Sequence, residues 1–349
     1  MTEDERWMTR CLQLARLGRY GAPPNPMVGA VIVCDGRIIG EGYHRHCGEG
    51  HAEVNAFASV RETQLLTRAR MYVSLEPCSH YGRTPPCAEL IIRKGVPEVI
   101  VGCIDPFAKV HGEGIRLMRE AGINVRTGIL ENECLELNRH FIVNQTQARP
   151  YVLLKWAQSD DGFIDRIRQD GKAEQFSTPR SLLRVHRLRA QSQAVLVGRQ
   201  TALFDDPRLS VRLVDGPQPL RIVLDKEAQL PAHLHLFDGS QRTLVAGLKD
   251  NAQRKAKAVY DFLPLDYGQT SVLPQLLAQL KQRGIQTLLV EGGRQLLQSF
   301  LDENLWDEIH LEKSTRKLQS GIPAPTLPKS IHLQTEHTLG TTFIHIYRN

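Results

Sequence analysis

By the spacing of its apolar positions, the chain divides into two stretches of alternating helix-like and strand-like segments, joined by a short polar passage. The first stretch opens on a helix-period run, Glu5 to Leu17, followed by a turn rich in Pro, Gly and Asn from Gly21 to Pro26. Gly29 to Cys34 and Ile38 to Tyr43 are β-favouring runs close enough to form a hairpin. Helix and strand then alternate. A helix from His51 to Val60 carries Val54, Phe57 and Ala58 as apolar positions, and Met71 to Leu75 is a strand. Helix Ala88 to Lys94, strand Val99 to Ile104, helix Gly112 to Ala121, strand Asn124 to Thr127 and helix Glu131 to Phe141 follow. Such alternation predicts a three-layer αβα domain around a mixed sheet. The passage Asn144 to Pro150 is polar and ends in proline, which predicts two domains, 1–145 and 150–349.

From Tyr151 the pattern restarts. Tyr151-Val152-Leu153-Leu154-Lys155-Trp156-Ala157 reads as a buried strand interrupted by a lysine, which needs an anionic or polar partner. Ser181 to Ala190 predicts a helix with Leu182, Val185 and Arg189 on one face and Arg180, Arg184 and Arg187 on a solvated one. Arg189, on the apolar stripe, suits either bidentate phosphate recognition or a buried ion pair. Strand Ala194 to Val197 ends at Gly198, and the loop expected next holds Thr201, Asp205-Asp206-Pro207, Leu209 and Arg212. Loops past strand ends are the usual ligand positions of open α/β sheets. Leu220 to Leu224 is a strand ending at Asp225; strand Thr287 to Val290 leads into Glu291-Gly292-Gly293 and a helix with Leu296, Leu297, Phe300 and Leu301 as apolar positions. Glycines there let backbone amides approach a phosphate at a helix start. The chain has no G-x-G-x-x-G fingerprint.

Composition narrows the class. With 349 residues, 41% of them hydrophobic, the chain can bury two cores. No stretch approaches 18 apolar residues and Met1-Thr2-Glu3-Asp4-Glu5-Arg6 is unlike a signal peptide, so a cytoplasmic protein without membrane association is expected. Seven cysteines, an odd number, fit a reducing compartment. The net charge of +6 comes from 44 basic and 38 acidic residues scattered along the chain, and aromatics make up 6%. That distribution argues against a nucleic-acid groove and suits anionic small molecules.

The chemistry concentrates in His51-Ala52-Glu53 and Pro77-Cys78-Ser79-His80-Tyr81-Gly82-Arg83-Thr84-Pro85-Pro86-Cys87. One imidazole and two thiols can hold zinc and leave a fourth position for water, and an unligated carboxylate can move the proton. His51, Cys78 and Cys87 are the expected ligands and Glu53 the catalytic acid/base. Pro85-Pro86 opens a helix, whose N-terminus favours a thiolate at Cys87. The second cysteine follows the first after a longer insert than the C-x-x-C of deaminases in general.

With Asn25-Pro26-Met27-Val28-Gly29, Gly42-Tyr43-His44 and Glu76-Pro77-Cys78-Ser79-His80 added in order, the chain resembles the RibD family of bifunctional riboflavin-biosynthesis deaminase/reductases over essentially its whole length. The resemblance implies a cytidine-deaminase-like domain followed by a dihydrofolate-reductase-like α/β domain. It implies zinc-dependent deamination of 2,5-diamino-6-(5-phosphoribosylamino)pyrimidin-4(3H)-one, then NADPH-dependent reduction of its ribosyl to a ribityl chain. On it, Asn25 holds the pyrimidine, and His44, His80 and Arg83 line that pocket and its phosphate side. Asp105 stands where the family often has asparagine before proline. In the second half it implies that Lys155, Arg189, Leu209, Arg212 and Glu291 face the substrate, with Arg189 and Arg212 on its phosphate. Ala157, Thr201, Asp205, Gly293, Arg294, Gln295, Leu296, Leu297, Gln298 and Ser299 would contact NADPH. It also implies self-association through the reductase half. Three segments depart from the family's pattern: Ser159-Asp160-Asp161-Gly162, Ala173-Glu174-Gln175, and the basic stretch between Leu311 and Gly321.

Three other functions use parts of the same signal. A deaminase with a non-catalytic C-terminal half would release ammonia without oxidising NADPH. A nucleic-acid deaminase would need a basic groove with stacking aromatics. A structural zinc module would close the tetrahedron with a fourth side chain, for which Cys47 and His80 are the candidates.

Overall fold

The computed structural model describes residues 1–81, 85–105, 112–168, 171–248, 260–268 and 271–349. They form two compact units, Met1–Ala148 and Arg149–Asn349.

In the first unit α1 (Glu3–Ala15) begins at a capping box, in which Thr2 and Glu5 satisfy each other's backbone N–H groups. Five strands follow in the spatial order β2 (Arg37–Tyr43), β1 (Gly29–Cys34), β3 (Arg70–Leu75), β4 (Glu98–Cys103), β5 (Asn124–Thr127). β1 is antiparallel to both neighbours, and β3, β4 and β5 run parallel. Because side chains alternate across a strand, this sheet builds two cores. Ala30, Ile32, Met71, Val73, Val99 and Val101 pack under α2 (Ala52–Ser59), α3 (Cys87–Lys94) and α4 (Glu113–Glu120). Val31, Val33, Tyr72 and Ile100 pack against α1 and α5 (Glu131–Leu137). The expected three layers are present. Within α2 the buried positions are Ala52, Glu53, Ala56 and Phe57, and Ala58 is exposed. The single helix expected from Glu131 to Phe141 is two, α5 and α6 (Arg139–Thr146). They break at Asn138, whose amide accepts the Met27 N–H at 2.8 Å and donates to its carbonyl at 2.9 Å.

The second unit is a nine-stranded sheet in the order β11 (Asp261–Leu265), β10 (Thr243–Leu248), β9 (Leu220–Leu224), β8 (Ala194–Gly198), β12 (Thr287–Val290), β6 (Tyr151–Gln158), β13 (Glu308–Ser314), β16 (Thr342–Arg348), β15 (His332–Leu339). It is parallel from β11 to β13, and β16 is antiparallel to both neighbours. β7 (Phe163–Asp165) and β14 (Ile322–Pro323) make a separate small ribbon. Leucines of α9 (Leu273–Gln282) and α10 (Arg294–Asp302) cover one face over Val152, Leu154 and Trp156. On the other face, α7 (Pro179–Gln191) and α8 (Arg199–Asp205) set Leu188 and Ala202 against Leu153, Val195, Val197 and Leu289. Parallel strands covered on both sides read as near-continuous apolar runs, which is why β6, β8 and β12 were visible in the sequence. No described helix is long and apolar enough to cross a membrane.

Two expectations for this unit are corrected. Thr201 and Asp205 lie on the helix α8, where a loop was expected. On α7, Leu182 is exposed and Arg184 is not solvated: it turns inward and donates from Nη2 to His310 Nδ1 at 2.8 Å. The inward polar side chains of β13 supply partners for it, and the apolar pattern of α7 alone carries no trace of them.

Candidate functional site

In the first unit the site forms where α2 and α3 begin. His51 is the N-cap of α2 and Cys87 the first residue of α3, and Cys78 lies in the loop after β3. His51 Nδ1 is 3.5 Å from Cys78 Sγ and 3.4 Å from Cys87 Sγ, and one donor atom from each residue falls within 4.8 Å of the others. A tetrahedral zinc bound at about 2.3 Å to sulfur and about 2.0 Å to nitrogen sets an N···S edge of roughly 3.5 Å. The residues therefore fit the ion. Among the described residues this trio is the whole cluster; Cys47 and His80 are exposed and stand outside it.

The helix start serves Cys78 where the sequence suggested Cys87. The Cys87 N–H donates to Cys78 Sγ at 3.3 Å, and the Ala88 N–H to the Cys78 carbonyl at 3.1 Å. Hydrogen bonding from the Cys87 thiol, with help from the His51 ring and that amide, holds the Cys78 thiol down at about 4 against the opposing effect of burial. The Cys87 thiol, facing that negative sulfur inside the protein, is pushed up. Gly114 permits the neighbouring wall, since a Cβ there would meet the Pro77 carbonyl oxygen at 2.0 Å.

Glu53, in the first turn of α2, is 3% exposed. Burial first and the Cys78 charge second push its carboxyl up to about 7. Its Oε2 is buried and has no hydrogen-bond partner among the described residues. An orphaned carboxylate oxygen beside a metal-type cluster is what a proton carrier requires.

Asn25 and His44 are brought together against this cluster. The His44 ring stands edge-on to the His51 ring at 5.3 Å between centroids. His44 Nδ1 is 3.2 Å from the Gly50 carbonyl, which can only accept, so Nδ1 carries the proton and Nε2 accepts from the Asn25 amide at 3.1 Å. Burial lowers the His44 pKa, consistent with that neutral tautomer. Asn25 Oδ1 is the amide atom this pairing does not use. Asp105 is buried and Arg83 lies outside the described residues.

Sequence reasoning missed two supporting residues. Glu76 is 4% exposed and accepts N–H groups from Asp105 at 3.2 Å, Gly112 at 2.9 Å and Gly114 at 2.9 Å, tying the start of α4 to the Cys78 loop. Its signal was a carboxylate directly after the apolar run of β3. Asn138 pins Met27, and so the Asn25 turn; no local signal marks it.

The second unit gathers Lys155, Arg189, Arg212 and Glu291 beneath α7. Arg189 donates from Nε and Nη2 to the two Glu291 oxygens at 2.6 and 2.7 Å, and from Nη1 to the Ser210 carbonyl at 3.2 Å. Burial would raise the Glu291 carboxyl, but Arg189, with Lys155 and His186 adding to it, holds it below the usual range. The exposed Arg212 donates to Ser210 Oγ at 3.3 Å, and its backbone N–H donates to His186 Nδ1 at 3.1 Å. Burial, then the charges of Arg189 and Arg212, push the His186 imidazole down to about 4, which leaves it neutral and able to accept that bond. Leu209 does not present its side chain here: it is 2% exposed and packs in the core, with φ at 50°.

The expected cofactor contacts converge in part. Gly293 caps α10, and a Cβ on it would lie 3.2 Å from Thr201 Oγ1, so the start of α10 and the first turn of α8 share one cradle. Arg294 and Gln295 are exposed at the opening turn. Leu296 packs toward Gly292, Leu297 points into the core, Ser299 bonds within its own helix, and Gln298 donates to Asp302 of that helix while accepting the Thr326 N–H at 2.8 Å. Ala157 lies on β6, opposite Glu312. Asp205 is held by Arg168 at 2.5 Å.

The three segments that depart from the family's pattern meet one another. Asp160 pairs with Lys313 at 2.9 Å, and Asp161 accepts the N–H groups of Leu318 and Gln319 at 3.1 and 2.7 Å. Arg316 pairs with Glu174 at 2.7 Å and donates to the Gln175 carbonyl at 3.1 Å. The acidic residues of two segments are matched by the basic residues of the third.

Comparison with known proteins agrees with both halves. Residues 1–103 match the cytidine and deoxycytidylate deaminase zinc-binding region, and residues 150–312 match the RibD C-terminal domain. The riboflavin biosynthesis protein RibD of Aquifex aeolicus is 40% identical over 88% of this chain and 85% of its own. A diaminohydroxyphosphoribosylaminopyrimidine deaminase/5-amino-6-(5-phosphoribosylamino)uracil reductase from Thermotoga maritima superposes with a TM-score of 0.87 at 34% identity, covering 99% of this chain and 98% of that one. RibD of Acinetobacter baumannii gives the same TM-score, identity and coverage. Similarity of that extent across both units shows that the chain belongs to the RibD family, the bifunctional deaminase/reductases of riboflavin biosynthesis.

Proposed function

We propose that residues 1–145 deaminate 2,5-diamino-6-(5-phosphoribosylamino)pyrimidin-4(3H)-one and that residues 150–349 reduce the ribosyl group of the product with NADPH. The observation that carries the first step is the convergence of His51, Cys78 and Cys87 beside the unpartnered oxygen of Glu53. Zinc held by those three residues supplies the Lewis acidity that makes water nucleophilic near neutral pH. Asn25, oriented by His44, presents its free amide oxygen to the pyrimidine edge, with His80, Arg83 and Asp105 on the rest of that pocket. Glu53 takes a proton from the attacking water as the C–O bond forms. It returns that proton to the departing amine as the C–N bond breaks, and ammonia leaves.

For the second step Arg189 and Arg212 hold the substrate phosphate, Lys155 and Glu291 hold the ribosyl end, and Leu209 contributes backbone. The cradle of Thr201 and Gly293 with the first turn of α10 binds NADPH, and Ala157 and Asp205 border it. Hydride transfer asks the protein chiefly for position, so no side-chain nucleophile is required. Two copies associate through the reductase half, as in the family it resembles.

Metal analysis of the purified protein with an ammonia assay tests the first step. NADPH oxidation on the deaminated pyrimidine tests the second, and a folded, deaminating protein with no such turnover removes the reductase assignment.

A further inference from the structure

We propose that Glu312 is a positioning residue for Lys155 in the reductase reaction, acting through a direct charge contact and through one ordered water shared with Arg184. The inference rests on the assignment of Lys155 to the substrate.

β6 lies between β12 and β13, and His310 stands opposite Lys155 with Glu312 two residues on. Alternation puts Lys155, Glu308, His310 and Glu312 on the face under α7. On one side of Lys155 is Glu291, already bound to Arg189 through both oxygens. On the other, Glu312 Oε2 is 4.0 Å from Lys155 Nζ and accepts the Ser177 hydroxyl at 2.8 Å. Glu312 is 2% exposed, so an ionised carboxylate there requires partners.

Its second oxygen, Oε1, is buried and has none among the described residues, and the same is true of Arg184 Nε. One is an acceptor and the other a donor, and both residues line one cavity with Lys155, Ser181 and His310. That cavity has about 10 Å³ of room for a water centre, which is the space one water needs when it has two to four polar partners. A water there donates to Glu312 Oε1 and accepts from Arg184 Nε–H. A cation would face Lys155 and Arg184, and an anion would face Glu312, so a neutral occupant fits best. Arg184 is fixed in turn by His310, whose other ring nitrogen meets Glu308. The chain of contacts gives Lys155 a second fixed carboxylate opposite Glu291, and so one resting place between the two.

The test uses the full chain oxidising NADPH on the deaminated pyrimidine, with ammonia release from the other unit as the folding control. Glu312→Gln keeps the shape and the Ser177 bond and loses the charge. It is expected to lower kcat about tenfold while KM for NADPH changes by less than about twofold. Lys155→Gln lowers kcat further, and the double variant is no worse than Lys155→Gln alone, because Glu312 acts through the lysine. Glu312→Asp, which restores the charge, recovers part of the loss and takes the place of Glu312→Gln should that variant not fold. Wild-type turnover in Glu312→Gln beside an impaired Lys155→Gln overturns this proposal alone, as do losses that multiply in the double variant. Wild-type turnover in Lys155→Gln overturns the assignment of Lys155, and this proposal with it. A high-resolution crystal structure with a dry cavity overturns the water link; density bridging Glu312 Oε1 and Arg184 Nε supports it.

Discussion

In the first unit the candidate metal-binding atoms come from two helix starts and one loop, and each is of a kind that only a few chemistries use. In the second unit Lys155, Arg189, Arg212 and Glu291 come from β6, α7, the chain beyond α8 and the end of β12, and each also has a structural use. A metal specifies its donors, so spacing and residue type carry the message. A positioning site specifies shape and charge balance, which distant segments can meet with many residue choices. The deaminase cluster therefore stands apart from its surroundings, whereas the reductase cluster is continuous with the ion pairs that hold the unit together.

The sharpest way to break that contrast is to remove a donor. Cys87→Ala is expected to lose zinc and to drop ammonia release below about a thousandth of wild type, while NADPH oxidation on the deaminated substrate stays unchanged. Metal content and the two rates, measured on one preparation, check it. Next in size is Glu53→Gln, expected to keep full zinc and lose deamination by about 10²–10⁴. Zinc loss in that variant would make Glu53 a ligand and not the proton carrier.

On the reductase side a substitution should strike activity and stability together. Arg189→Ala leaves Glu291 without its guanidinium, and both side chains are little exposed, at 11% and 12%. Losing one partner of such a pair costs about 3–5 kcal/mol, so the variant should unfold earlier in its reductase transition, with reduction lost and deamination spared. Denaturant unfolding followed by a probe in each unit reads this. An Arg189→Ala protein as stable as wild type would mean that the pair serves the ligand only.

Legibility in the sequence follows the same division. His51, Glu53, Cys78 and Cys87 were readable because no bland arrangement repeats that order, and β6, β8 and β12 because buried parallel strands are apolar throughout. Where an element is half polar inside, the pattern misleads. β13 alternates Glu308, His310 and Glu312 inward, so it reads like a solvated strand, and Arg184 on α7, its partner, reads like surface. Thr201 and Asp205 fell on a helix because α8 is too short for its period to register. Asn138 acts on backbone atoms far along the chain, which leaves no mark in its local sequence, and Glu76 showed there only as a carboxylate ending the run of β3.

The smallest effect concerns the rim where the three divergent segments meet, and it separates a fitted latch from an accidental contact. Asp161 accepts from the Ser159 hydroxyl at 2.6 Å and from the amides of Leu318 and Gln319. The hydroxyl first, then those amides, hold its carboxyl down at about 2. A folded pKa below the unfolded one means that the latch stabilises fully above the ordinary carboxylate range, near pH 4, and weakens as pH falls through about 2. Amide hydrogen exchange at Leu318 and Gln319 should show protection near neutral pH that is lost over that acid window. Asp161→Ala should lose the same protection at pH 7, with both activities within about twofold of wild type, as expected of an exposed polar contact. Because Lys313 and Arg316 fasten the same strip from outside, high salt should loosen it as well. Protection indifferent to pH, to salt and to Asp161 would show that the strip is held by β13 alone, and that the matching of acidic and basic residues among the three segments has no part in shaping this unit.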